Sequence, residues 1–159
     1  MNLITFLKDQ EPDFNVRFLS DIWNFRDIDI ERNHDFVQIL FPLEIRSNNT
    51  SHHYYIDSPE LLSALINDDL VKENIIKSSK WFLKFLSRNE HWKKSQDHNH
   101  LRITRIIKCI RLIVSDEEAD NFYDDVLELL GNNNLINKRT LEFWSEAWVY
   151  NGCFNRRSQ

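Results

Sequence analysis

"HNHLRITRIIKCIRLI", residues 98–113, decides how the rest of the chain is read. Two histidines flank an asparagine, and arginines then recur through a run of isoleucines. On a helix that turns by about 100° per residue, Ile103, Ile106, Ile107, Ile110, Ile113 and Val114 form one continuous face. Leu101, Cys109 and Leu112 gather on the far side, around Arg105. Apolar side chains on two sides imply a helix packed from two directions. The expected architecture is all-α: a single-domain bundle of about six to seven helices, its buried central helix near residues 100–114.

The composition agrees. The 159 residues include five Trp and eleven Phe but only two Gly and three Pro. Sheet proteins need turn residues roughly every 8–12 positions, and these are missing. A chain of this length buries about 68–70% of its unfolded surface, so the core needs no disulfide or structural metal. Cys109 lies in an apolar run, where a reduced, buried thiol is expected, and Cys153 is distant from it in sequence. The net charge of −5 argues against nucleic acid, whose binders carry a basic face. No apolar run reaches the length of about 18 residues that a membrane span needs. The N-terminus lacks the basic start and cleavage site of a signal peptide. A cytoplasmic location follows as the expectation, or a nuclear one in a eukaryotic host, and the Asn48 and Asn49 sequons then carry no meaning.

Working outward, "VRFLSDIWNF" sets Leu19, Ile22 and Trp23 on a helical face. In "DIDIERNHDFVQILFP" the spacing of Ile30, His34, Val37 and Phe41 predicts one helix that stops at Pro42. "SPELLSALI" begins with Ser58 as N-cap and Pro59 in the first turn. Asn67 or Asp68 is expected to cap the next helix, which carries Leu70, Ile75, Ile76, Phe82, Leu83 and Leu86. Ser115 or Asp116 caps "DEEADNFYDDVLELL", and "GNNN" ends it. "NKRTLEFWSEAWVY" closes the domain with Leu141, Trp144, Ala147 and Trp148 on one stripe. No repeat or linker interrupts residues 1–154, and 155–159 read as a frayed tail.

Three groups of residues could carry chemistry. Arg105, flanked by Leu101, Cys109 and Leu112, needs a carboxylate if buried, and Asp35, Glu31 or residues 116–118 could supply one. Alternatively Arg102 and Arg105 clamp an anion or a peptide carboxylate. His98 and His100 have an H-x-H spacing used for zinc, with His91 and Asp97 nearby, but no C-x-x-C or H-E-x-x-H accompanies them. The plainer reading makes Asp97, His98 or Asn99 the cap of the central helix. His34, expected mid-helix, shares a polar line with Glu31 and Gln38, either a general base or a network between helices. Ser78 and Ser79 have no triad context.

Two blocks resemble a known family. "LSDIWNFRDIDIERNHDFVQILFP" and "HNHLRITRIIKCIRLI" are similar to signature segments of the opioid growth factor receptor conserved region, and "EEADNFYDDVLELL…TLEFWSEA" resembles its short bacterial members. Ile39 stands where the family usually has Trp, and Asn15 where Gly is common. The resemblance implies an all-α intracellular domain that, in animals, belongs to a receptor for an enkephalin peptide. It offers no catalytic residues to transfer, and its candidate ligand-binding positions are His34, Gln38, His98, Asn99, His100, Arg102 and Arg105. The expectation is a non-catalytic module for a peptide or protein without a cofactor, with Trp92, Tyr54 and Tyr55 rimming a groove. The alternatives are a metal-assisted hydrolase using the histidines at 91–100, and a purely architectural adaptor.

Overall fold

The computed structural model describes residues 2–45, 54–133, 135–148 and 152, without the Trp148 side chain. Asn48, Asn49, Cys153 and the tail 155–159 lie outside the described residues. Among those described, every regular element is helical, as expected. The elements are α1 (Leu3–Leu7), α2 (Leu19–Trp23), α3 (Asp27–Arg32), α4 (Val37–Leu40), α5 (Pro59–Ile66), α6 (Asp69–Arg88), α7 (His98–Cys109), a π-helical turn (Ile110–Val114), α8 (Asp116–Leu130) and α9 (Lys138–Trp148). The helices beyond the expected six or seven come from α1 to α4, each of four to six residues. No helix among the described residues is long and apolar enough to cross a membrane. Contacts divide the chain into two compact units, Met1–Ser78 and Ser79–Gln159. Because the division falls inside α6, no proline- or glycine-rich linker marks it in the sequence.

In the first unit, local capping starts each helix. The Asn2 side chain accepts from Ile4 N–H, Asp21 reaches back to Phe18 N–H, and Ser58 Oγ accepts from Leu61 N–H at 3.2 Å. Asp68 Oδ1 takes the Val71 N–H, which, with Lys8 at 3.2 Å, holds the Asp68 carboxyl below its ordinary range. Phe6, Leu7, Leu19, Ile22, Ile30, Phe36, Leu40 and Ile75 are all fully buried. Polar ties cross this core. Asn74 Nδ2 donates to the Leu7 carbonyl at 2.8 Å, and Trp23 Nε1 donates to Ser78 Oγ at 2.9 Å.

The expected helix through residues 30–41 is broken. Asn33 leaves the helix with φ −86° and ψ 129°, its side chain donating to the Asp29 carbonyl at 2.8 Å. Asp35 is drawn away by Asn15 Nδ2 at 2.7 Å and Arg17 at 3.1 Å. His34 therefore sits exposed in a linker between α3 and α4, and its helical spacing with Gln38 does not make a shared face.

Two non-glycine residues adopt left-handed backbone, Asp9 at φ 60° and Val16 at φ 59°. Asp9 follows α1 and uses its carboxylate to cap Ser20 N–H and Oγ–H, a setting in which Asp tolerates this region. Val16 is β-branched and 79% exposed. Its turn is clamped by the Asp13 carboxylate, which accepts from Asn15 N–H, Arg17 N–H and Arg17 Nε–H at 2.8–2.9 Å. Holding a side chain there costs about 1–2 kcal/mol.

In the second unit, α7 packs on α9 and α8. Ile103, Ile106, Ile107, Ile110 and Ile113 are fully buried, so the central helix lies where its periodicity puts it. The far side is less uniform, since Cys109 and Leu112 are buried but Leu101 is 68% exposed. The α-helix also does not run to Val114. Ser115 N–H bonds to the Ile110 carbonyl at 3.1 Å, five residues back, which defines the π turn. Ser115 then caps α8 through Glu118 N–H, and Gly131, at φ 57°, ends that helix.

Replacing Ser58 with Ala removes the α5 cap and should lower unfolding free energy by about 1 kcal/mol in urea titrations. A cost near zero would show that Leu61 N–H is satisfied equally well by water.

Candidate functional site

Asp97 is the residue that starts α7: in extended conformation, it accepts the Asn99 N–H on Oδ1 at 2.9 Å. Successive side chains then diverge around the axis. His98 and Leu101 are exposed, whereas Asn99, His100 and Arg102 are buried at 0, 5 and 6% exposure.

His100 is a junction. Its Nε2 lies 2.6 Å from the Trp92 carbonyl oxygen. That oxygen can only accept, so Nε2 carries the proton and donates. Trp92 is itself fully buried and donates its indole N–H to the Leu86 carbonyl at 2.9 Å. The His100 carbonyl accepts from Trp144 Nε1 at 3.1 Å and from Thr104 Oγ1 at 3.0 Å. The imidazole meets the Trp144 ring edge-on, at 5.8 Å between centroids and 88° between planes. One residue thus joins the end of α6, the connector after it, α7 and α9. Trp92 is not a rim residue as expected, because its ring is enclosed. Tyr54 and Tyr55, in the first unit, are half-buried, and Tyr54 stacks on Phe14 at 5.1 Å.

The arginines are placed differently from expectation. Arg102 donates to Asn99 Oδ1 at 3.2 Å inside the unit. Arg105 is only half-buried, and the acidic residues after the central helix do not serve it. They serve Arg111, whose side chain is 6% exposed and reaches Asp116 at 2.8 Å and Asp120 at 3.0 Å. The π turn delivers it: the extra residue per turn rotates Arg111 toward α8. Sequence reasoning passed over Arg111 because a regular helix was assumed through that point.

The H-x-H pair does not converge. Residues two apart on a helix point to different sides, and here His98 faces solvent while His100 is enclosed by two tryptophans. His91 is exposed, with its ring against Phe85 at 6.3 Å. His34, exposed, and Gln38, half-buried in α4, belong to residues 1–78, whereas His98, Asn99, His100, Arg102 and Arg105 belong to residues 79–159. The second group is assembled at the entry of α7, three of its members facing inward.

Burial pushes the Cys109 thiol up to about 12, with Arg105 pulling weakly in the other direction. The folded state therefore holds the thiol protonated where an unfolded chain would ionise it. Stability from this source is intact below about pH 9 and falls as pH rises toward 12. The Cys109 peptide should resist iodoacetamide at pH 8 in the native protein and react in denaturant, read by mass spectrometry. Rapid native labelling would mean that α7 opens locally. Replacing His100 with Phe keeps a ring beside Trp144 but leaves the Trp92 carbonyl without its donor. The expected loss is about 1–3 kcal/mol by urea titration, and an unchanged midpoint would remove His100 from the frame.

Comparisons with protein-family models, with curated proteins and with solved structures find no match to this chain.

Proposed function

We propose that the chain is a non-catalytic intracellular module that binds a peptide or a protein, in keeping with its resemblance to the opioid growth factor receptor conserved region. The observation that carries this reading is the division of labour at the start of α7. Asn99, His100 and Arg102 are buried and bonded to neighbouring groups in their own unit, so the chemically capable residues serve as a frame. The imidazole that would have to act as base or metal ligand already spends its Nε2 proton on Trp92. The frame fixes an outward edge on which His98 and Leu101 are presented, the leucine 68% exposed. An apolar side chain held on a rigid helix loses little freedom on binding, which favours recognition.

The test is selection of peptides on the immobilised protein, followed by an NMR amide-shift titration with the enriched peptide. An enkephalin peptide serves as a parallel probe. Perturbations should centre on His98 and Leu101, and Leu101→Asp should weaken binding at least about tenfold, equivalent to about 1.4 kcal/mol, without lowering stability. Shifts that avoid this edge would overturn the reading. Cleavage of the peptide would replace it with the metal-assisted hydrolase.

A further inference from the structure

The Val16 turn spends conformational energy on a side chain that gains no burial within its own molecule. Val16 is 79% exposed at φ 59°, a geometry that Asn or Gly would occupy with less strain. The turn is not loose, because the Asp13 carboxylate, itself fully enclosed, bonds to Asn15 and Arg17, and Asp35 bonds to the same two residues. The rigid tip therefore projects one apolar side chain, with Phe18 beside it in sequence and 37% exposed. Two carboxylates, Asp13 and Asp35, surround one guanidinium, Arg17, so the base of the tip carries net negative charge.

A surface of the opposite character exists at the other end of the chain. Leu135 and Phe143 are 62% and 42% exposed, and the Arg139 guanidinium lies 5.4 Å from the Phe143 ring centroid. Lys138 is exposed beside it in sequence. This patch is apolar with a cationic edge, matching a tip that is apolar with an anionic base.

We infer that the Val16 turn of one molecule docks on the Leu135–Phe143 patch of a second copy, giving a weak head-to-tail self-association. Charge complementarity selects this occupant: like tips repel, whereas tip and patch attract. The contact is heterologous, since two different surfaces meet. It is separate from the α7 edge and does not depend on the ligand proposed there.

Sedimentation velocity of the full chain, from about 1 µM to about 1 mM, should show a mass that rises with concentration and falls back with added salt. Val16→Asn should weaken association about tenfold or more while raising the melting temperature, because it relieves the backbone. A merely structural role would couple the two readouts in the same direction. Asn15→Lys and Arg139→Glu should each abolish association alone, and their mixture should restore it by exchanging the charges. A strictly monomeric mass across the range overturns the inference and leaves the turn for a foreign protein. Failure of the mixture to recover, with both variants folded by circular dichroism, overturns it as well.

Discussion

A proton on His100 Nε2, shared with the Trp92 carbonyl, is the constraint from which the second unit is built. Without it the connector after α6 has no fixed path, and Trp92 has no reason to fold under α7. The same residue offers its carbonyl to Trp144, so α9 is registered against α7 through one backbone position. Two bulky indoles are thereby fixed at both ends, by an N–H bond and by ring packing. Buried polar groups of this kind add little net energy when satisfied but cost much when broken. Their effect is to choose one arrangement among several that would bury the same isoleucines.

The first unit solves the same problem with carboxylates. Asp9, Asp13, Asp21, Asp29 and Asp68 each accept a backbone N–H, a neighbouring side chain, or both, at the start or end of a short segment. Helices of four to six residues are too short to persist alone. They exist because their ends are tied and their inner faces are buried. The acidic composition thus has a local explanation in the capping of short elements, alongside its general bearing on solubility.

Much of this was legible before any coordinates. Ser58, Asp97 and Ser115 declare helix starts because capping depends on residues only two or three positions away. The isoleucine face of α7 is likewise a matter of periodicity. What failed depended on distant partners. His34 looked helical until Asp35 was found held by Asn15 and Arg17, roughly twenty positions upstream. Arg105 attracted attention that belonged to Arg111, because the turn that swings Arg111 inward is not a regular one. Trp92 looked like a rim residue because its polar neighbours hid the hydrogen bonds that enclose it. The candidate site was therefore legible as a place and not as a set of roles.

The π turn at Ile110–Val114 has a further consequence. It amounts to one residue more than a regular helix would use over the same rise, and so works as an angular offset between α7 and everything downstream. A chain shortened by one residue here would regain ordinary helical bonding, yet α8 would set out about 100° further round the axis. Asp116 and Asp120 would then turn away from Arg111. The segment is consequently intolerant of a change in length although it would accept many changes of apolar side chain. Its residue count, more than its residue identities, is the inherited quantity.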